Sequence, residues 1–378
     1  MSWITGVGLT PFGKHPGRST LDLMSEAAGT ALDDAGLGRR DVDGLLTGYS
    51  TTFPHLMLST VFAEHFGLVP TYAHAIQLGG ATGFAMAMLA HHVVESGLAQ
   101  NVLVVAGENR LTGQTRDAAV QTLAQVGHPV YEVPFGATIP AYYGLLASRY
   151  MHEHGNTERD FAELAVTMRR HAACHPGAQF HDPIDADQVL ASKPVASPLK
   201  LLDCCPVSDG GAAFVVSRDR TNDFSVRIRG TAQAHTHQHV TAAPSLTEFG
   251  AAASTRAAMQ AAGIQLGDVD YAAIYDSFTI TLAILLEEIG LAPRGGAGRL
   301  ASEGHFSNAD GVPLNTHGGL LSYGHCGVGG AMAHLVETQL QMTGRAGTRQ
   351  RGTPGIALLH GDGGVLSSHV SLVLGREA

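Results

Sequence analysis

The side chains best able to do chemistry crowd into residues 315–327, where His317, Ser322, Tyr323, His325 and Cys326 are interspersed with Gly318, Gly319, Gly324 and Gly327. Glycine permits positive φ and lets a ligand come close to the backbone. An apolar helical pattern follows over 329–342, and the unpaired N–H groups at a helix start favour negative charge developing beside them. An acid, a base and an anion site can therefore share this one loop.

Composition narrows what the loop serves. The 378 residues have room for roughly two domain-sized units, and a 44% apolar content is that of an ordinary globular protein. A formal charge of −10, with Lys14, Lys193 and Lys200 the only lysines, argues against a nucleic-acid binder, which needs a basic face. No apolar run reaches the ~20 residues of a membrane span, and residues 1–13 lack the succession of a signal peptide. A soluble, cytoplasmic protein is expected. The cysteines Cys174, Cys204, Cys205 and Cys326 form no CxxC or Cys/His zinc spacing, so no metal site is expected. Neither a GxxxxGK[ST] loop nor a well-placed GxGxxG points to a nucleotide cofactor.

Hydrophobic periodicity supplies the scaffold for the loop. A strand is expected at 4–9, then a helix at 20–35 whose Leu21, Met24, Ala27, Ala28, Ala31 and Leu32 recur at helical spacing, with Gly36 as its C-cap. Short strands at 44–49 and 71–76 flank a helix at 54–66. Gly79-Gly80-Ala81-Thr82-Gly83 opens a helix to residue 96 that is apolar on nearly all faces, as suits the middle of a core. A strand at 101–106 closes a unit of the kind that builds parallel sheets.

The order then returns. Residues 31–43 lie without gaps over 258–270, and the same register sets Ser50 over Ser277. Another Gly-led apolar helix at 329–342 and a strand at 355–359 follow, the strand ending in His360-Gly361-Asp362-Gly363-Gly364. Two halves of like order, 1–220 and 221–378, imply a pseudo-twofold pair of sheets with helices between them. A polar excursion over about 111–198 has no counterpart in the second half. It reads as an inserted loop domain, where α/β proteins commonly elaborate ligand binding.

Three motifs in this order resemble the thiolase superfamily, and the sterol-carrier-protein-type (SCP2-like) thiolases in particular. They are Cys204-Cys205-Pro206-Val207-Ser208-Asp209-Gly210-Gly211-Ala212-Ala213, the segment 269–279 containing Tyr275-Asp276-Ser277-Phe278, and Gly318-Gly319-Leu320-Leu321-Ser322-Tyr323-Gly324-His325. The likeness covers essentially the whole chain. It implies an α/β thiolase fold, with two duplicated βαβαβαββ halves in a five-layered α-β-α-β-α arrangement and an inserted loop domain. It also implies a homodimer and an acyl-CoA thioester as ligand, coenzyme A entering as part of the substrate with no intrinsic cofactor.

The chain departs from the family at the positions that matter for chemistry. The nucleophilic cysteine of the family's first half is Gly80 here, and the second cysteine, near the C-terminal glycine run, is His360. Without a thiol at either place an acyl-enzyme cannot form there. Tyr275 takes the slot of the family's oxyanion Asn or His, and Tyr323 precedes Gly324-His325. This combination is similar to the thiolase-like lipid-transfer-protein aldolases of steroid side-chain degradation. Those cleave a 3-hydroxyacyl-CoA by a retro-aldol reaction, so the resemblance implies a carbon–carbon lyase. It also implies a zinc-ribbon/OB-fold partner of the DUF35 type in a heterotetramer.

Retro-aldol cleavage needs a base for the β-hydroxyl proton, a group that stabilises the thioester enolate, and an acid for the carbanion carbon. On this resemblance Tyr275 and Tyr323 form the acid/base pair and His325 is the donor to the thioester oxygen. Which tyrosine takes the hydroxyl proton stays open. A phenol of reference pKa ~10 is a poor base unless a neighbour lowers it; His325 and the helix dipole after Gly327 are the candidate neighbours. The competing reading of either tyrosine is a half-buried packing residue with a satisfied hydroxyl.

Gly80, Asp276, His360 and Cys326 are expected around the pocket. His360 lines the place of the missing cysteine or satisfies a buried carbonyl. Cys326, where the family has proline, sits beside His325 near a helix start, a setting that can lower a thiol pKa. As a nucleophile it would make the chain an acyltransferase; as a small buried hydrophobe it would not. Cys204 and Cys205 fall in a stretch that is structural or pantetheine-lining in the family. For CoA the resemblance points to Arg149, Arg169, Arg170 and Lys200, each equally readable as a solvated charge. A catalytically silent acyl-CoA or lipid-binding subunit is the third reading.

Overall fold

The computed structural model describes residues 1–307 and 311–377. The first half runs β1 (Trp3–Leu9), α1 (Thr20–Ala35), β2 (Gly44–Gly48), α2 (Leu58–Phe66), β3 (Tyr72–Ile76), α3 (Thr82–Glu95) and β4 (Asn101–Asn109). The insertion contributes α4 (Arg116–Ala124), α5 (Ile139–His154), α6 (Glu158–Ala172), α7 (Ala186–Ala191) and a hairpin of β5 (Pro194–Ala196) and β6 (Leu199–Lys200), before β7 (Asp209–Ser217). The second half is β8 (Val226–His235), α8 (Ala251–Ala262), β9 (Tyr271–Ile274), α9 (Thr279–Ile289), α10 (Ala297–Ser302), α11 (Gly319–Ser322), α12 (Val328–Met342), β10 (Ile356–Gly363) and β11 (Ser368–Gly375).

Local chemistry explains why the order repeats. Gly36 ends α1 and Gly263 ends α8, each at φ 68°, a left-handed setting that favours glycine. Short 3-10 turns at Arg39–Asp41 and Leu266–Asp268 then lead into β2 and β9. The overlay of 31–43 on 258–270 therefore holds in space. The same close approach of helix to strand also recurs. A Cβ on Gly6 would lie 2.3 Å from the Ala31 carbonyl oxygen, and one on Gly230 2.2 Å from that of Ala258.

The strands lie in the order β3-β2-β4-β7-β1-β8-β11-β10-β9. In the first half β2 is parallel to β3 and β4, and β7 is antiparallel to β4 and β1. The second half repeats this, with β9 parallel to β10 and β11 antiparallel to β10 and β8. The halves meet where Trp3 and Ile4 of β1 pair with Arg227 and Val226 of β8. Alternation along the strands sends Leu103, Val105, Ala213 and Val215 under α1 and α2, and Val102, Val104, Phe214 and Val216 into the main core. There α3 and α12 pack on strands of both halves, while α8 covers β8 and β11. The result is the five-layered α-β-α-β-α arrangement. A helix with sheets on two sides must be apolar nearly all round, as α3 is.

Several expected boundaries shift, and the strand expected over 355–359 runs on to Gly363 because Gly361, Asp362 and Gly363 pair with Val370, His369 and Ser368. The helix expected from residue 54 begins at Leu58, because Leu56 and Met57 are exposed and nothing buries an earlier turn. The strand expected to stop at 106 continues to Asn109, as Gly107, Glu108 and Asn109 pair with Gly211, Gly210 and Asp209. The insertion does not stand alone: α5 and α6 pack on α9, and α6 also on α10 and α11. Among the described residues no helix is long and apolar enough to cross a membrane.

Candidate active site

The loop 315–327 is shaped by its own polar residues. Asn315, at φ 45°, is one of two non-glycine residues with positive φ among those described. Its side chain bridges β9, accepting from Ile274 N–H at 2.8 Å and donating to Ile274 O at 2.7 Å. Asp276, fully buried, accepts from the Leu320 N–H at 2.7 Å and pairs with His334 at 3.2 Å. A Cβ on Gly319 would lie 1.9 Å from Asp276 Oδ2, so that glycine is required for the carboxylate to reach the turn. Asp276 thus anchors the loop instead of lining the pocket, and burial raises its carboxyl above the ordinary range.

At the far end of the loop, His325 is tied to the end of the insertion. Its N–H donates to Ser208 Oγ at 2.9 Å, and Ser208 N–H donates to its carbonyl at 3.1 Å. Gly327 N–H donates to His325 Nδ1 at 3.1 Å, and Nε2 lies 3.1 Å from the Tyr275 hydroxyl. Burial, with the Arg110 guanidinium close by, pushes His325 down to about 3. The ring is therefore neutral near pH 7, and since Nδ1 accepts a hydrogen bond its proton sits on Nε2. Nε2–H then donates to the Tyr275 oxygen, which leaves the phenol's own proton free to face elsewhere. Burial, with the Cys205 thiol and Asp362 carboxyl nearby, raises that phenol well above its usual value.

What the phenol faces is the turn before α3. A Cβ on Gly80 would lie 2.2 Å from Tyr275 Oη and 2.5 Å from the Asp362 carbonyl oxygen, and one on Gly79 would lie 2.8 Å from Gly364 N. The glycine turns of the two halves are in contact, and the Tyr275 hydroxyl fills the space in which a side chain at position 80 would begin.

Tyr323 is not brought to this pair. Its ring packs among Phe12, Ala172, Ala178, Cys326 and Ala333, its centroid 4.7 Å from both Phe12 and His175. Its hydroxyl donates to Thr10 O at 3.2 Å and borders a separate cavity of about 330 Å³. The reason is local: Gly324, at φ 135°, turns the chain between Tyr323 and His325, and the two side chains share none of these partners. Burial raises the Tyr323 phenol well above the ordinary value, the opposite of what a base requires. Cys326 lies in the same apolar cluster, fully buried. Burial and Glu108 raise its thiol, so it does not have the activated setting expected for a nucleophile near a helix start.

Comparison with known proteins fixes the family. Residues 2–220 match the model of the thiolase N-terminal domain, and residues 232–376 match that of the thiolase C-terminal domain-like family. The chain belongs to the thiolase family. An acetyl-CoA acetyltransferase of Methanothermobacter thermautotrophicus is 30% identical, over 97% of this chain and 98% of the relative. A steroid side-chain-cleaving aldolase of Thermomonospora curvata is 34% identical, over 84% and 85%. The solved Ltp2-ChsH2(DUF35) aldolase superposes with a TM-score of 0.86 at 31% identity, covering 99% of this chain and 97% of that one. The chain is thus an enzyme of thiolase fold whose relatives include both acyltransferases and aldolases.

Within this thiolase fold, His360 is drawn away from the turn. It is buried on β10, with Nδ1 at 2.8 Å from Ser371 Oγ and Nε2 at 3.2 Å from His369 Nδ1. Only its carbonyl touches the site, accepting the Tyr275 N–H at 3.0 Å. The cations expected for CoA differ among themselves. Arg169 is buried, donating to Ser322 Oγ at 3.0 Å and lying over Phe180, so it staples the insertion to the loop instead of offering a free charge. Arg149 pairs with Glu153, and Lys200 with Glu158. Arg170 is exposed on α6.

Reading the sequence alone missed Arg110, Tyr143 and Asp362, and did not use Cys205. Arg110 and Glu108 reach the site because β4 is longer than its apolar run. Their side chains are 9% and 1% exposed and 3.8 Å apart. Asp362 carried a signal, a lone carboxylate inside the second half's glycine run, but it drew no role. Cys205 stands by Tyr275, its N–H on Ser277 O at 2.9 Å, and burial raises its thiol.

Proposed function

We propose that the chain is a carbon–carbon lyase, a CoA-thioester retro-aldolase that cleaves a 3-hydroxyacyl-CoA bearing a steroid side chain into a ketone and a shorter acyl-CoA. The observation that carries this reading is the Tyr275 hydroxyl 2.2 Å from the point where a side chain at position 80 would begin. A thiolase nucleophile and this phenol exclude each other. A phenol kept protonated suits proton transfer, not acyl transfer. The aldolase relative at 34% identity supports the same reaction class.

In the reaction the β-hydroxyl loses its proton, the Cα–Cβ bond breaks, and the ketone leaves. The electron pair remains on the thioester as an enolate. With substrate bound, His325 Nε2–H turns from the Tyr275 oxygen to the thioester oxygen, and the Arg110 charge beside it counters the anion. Tyr275 protonates the enolate carbon and regains its proton from the base. No electrons are gained or lost, so the step calls for no redox cofactor, and coenzyme A takes part only as a portion of the substrate. We assign the working unit as a homodimer joined by a zinc-ribbon/OB-fold protein of the DUF35 type, a reading supported by the solved aldolase of that name.

The test is to give the chain, with its DUF35-type partner, a tertiary 3-hydroxyacyl-CoA and to follow products by chromatography. A ketone and a shorter acyl-CoA in equal amounts are expected. No cleavage with CoA binding retained would instead identify a silent subunit. The acyltransferase reading, favoured by the relative at 30% identity, requires a reactive thiol and rapid inactivation by iodoacetamide. The raised thiols of Cys204, Cys205 and Cys326 predict little inactivation.

A further inference from the structure

We infer that the cavity of about 330 Å³ bordered by Tyr323 is a second binding site, separate from the Gly80 turn, for a small apolar carboxylate. Such a site stands whether or not the chain cleaves a 3-hydroxyacyl-CoA. The cavity exists because the halves of the sheet are joined over a short stretch: β1 pairs with β8 at Trp3 and Ile4 alone, whereas it pairs with β7 as far as Leu9. Past Ile4 the free edge of β1 meets no strand among the described residues, and the Val7 N–H donates to Asp34 Oδ2 at 2.9 Å instead. Val7, Leu9 and Pro11, with Val336 and Leu340 of α12, give the space apolar walls.

The polar side chains that line this space fall into two groups. Thr10, Thr30, Asp34 and Tyr323 are matched within the protein: Thr10 accepts the Gly211 N–H, Thr30 donates to Glu26 O, Asp34 pairs with Arg345, and Tyr323 donates to Thr10 O. His175 and Arg349 keep a donor in reserve. Gly177 N–H donates to His175 Nδ1 at 2.9 Å, so the proton of the neutral ring sits on Nε2, and no acceptor meets it among the described residues. Burial, with Arg349 and His181 close by, pushes His175 down to about 3, which keeps the ring neutral near pH 7. Arg349 gives Nε and Nη2 to Glu337 at 3.1 Å and 2.9 Å, and its Nη1 likewise has no acceptor among the described residues. The side chains therefore offer the cavity two unmatched N–H donors and no unmatched carboxylate. A ligand carboxylate only accepts, so it completes both, whereas an alcohol or amine would bring a further donor that needs a partner. Charge does not oppose it, because Asp34 and Glu337 are each balanced by an arginine. The volume lies at the small end of ligand pockets, which suits a short aliphatic or single-ring acid.

The test is binding of hexanoate to the full chain, followed by saturation-transfer NMR, with hexan-1-ol as the control. Hexanoate should bind with a Kd of about 1 mM, and the alcohol roughly tenfold more weakly. Equal binding of the two, or no saturable binding of hexanoate, overturns the assignment. His175→Phe keeps an aromatic ring against Tyr323 and removes one donor, so the Kd for hexanoate should rise roughly tenfold. Leu340→Phe leaves both donors and takes up part of the space, and it too should weaken binding. The two variants are read independently, so loss of the fold in one leaves the other to decide. Wild-type affinity in either folded variant would place hexanoate elsewhere on the protein and overturn the inference.

Discussion

Tyr275 and Tyr323 are the same residue type in the same half, both buried and both with phenols raised by burial. They differ in what stands opposite. Tyr275 faces a turn from the other half with no side chain at position 80 and is oriented by a neutral imidazole. Tyr323 faces its own core and a backbone carbonyl. Chemistry at a buried phenol depends less on the phenol than on what stands opposite it. The Gly79-Gly80 turn admits the Tyr275 hydroxyl where a side chain would otherwise begin, whereas the Tyr323 hydroxyl is taken up by the Thr10 carbonyl.

The largest effect that would break this comparison is at Tyr275. Tyr275→Phe removes the acid and should cost roughly 10²- to 10⁴-fold in cleavage rate with the fold intact, measured by single-turnover product formation. Cleavage near the wild-type rate would show that the phenol by Gly80 is a bystander. A second, smaller effect sharpens the exclusion of a nucleophile. Gly80→Cys puts a Cβ 2.2 Å from the Tyr275 hydroxyl and 2.5 Å from a backbone oxygen that cannot easily yield. It should destabilise the protein by about 1–3 kcal/mol in denaturant titration, and cleavage should fall as the phenol is displaced. Full stability together with new acyl-transfer activity would mean that the site accommodates both chemistries. The smallest effect is at Tyr323. Tyr323→Phe leaves the Thr10 carbonyl without its donor and should cost about 1–3 kcal/mol of stability, with cleavage changed by no more than a few-fold. If cleavage is abolished while the melting temperature holds, Tyr323 is catalytic after all.

The fold was largely legible because duplication is written in the chain. The register of 31–43 on 258–270 fixed two helix ends and two strand starts, and glycine C-caps carry that register into space. An apolar helix at 82–95 could only lie between two layers. The site was legible in part. Gly80, Tyr275 and His325 stood out as departures from, or agreements with, a family pattern, and the structure brings these three together. The error over Tyr323 has a plain cause. Sequence proximity to His325 suggested shared surroundings, but a glycine at φ 135° lies between the two. Arg169 misled in a similar way, since a cation on a helix looks solvated until its burial against Ser322 and Phe180 is seen.

What the sequence determined by itself is therefore the repeat, the layer order and the absence of a thiol at Gly80 and His360, because hydrophobic period, cap residues and residue identity are local properties. Only the tertiary structure decided which groups meet at the turn. Tyr275, Asp362 and Gly80 come from strand and helix ends far apart in the chain, and their distances depend on how two sheets are set against the shared central helices. That setting filled the missing nucleophile's place with a phenol.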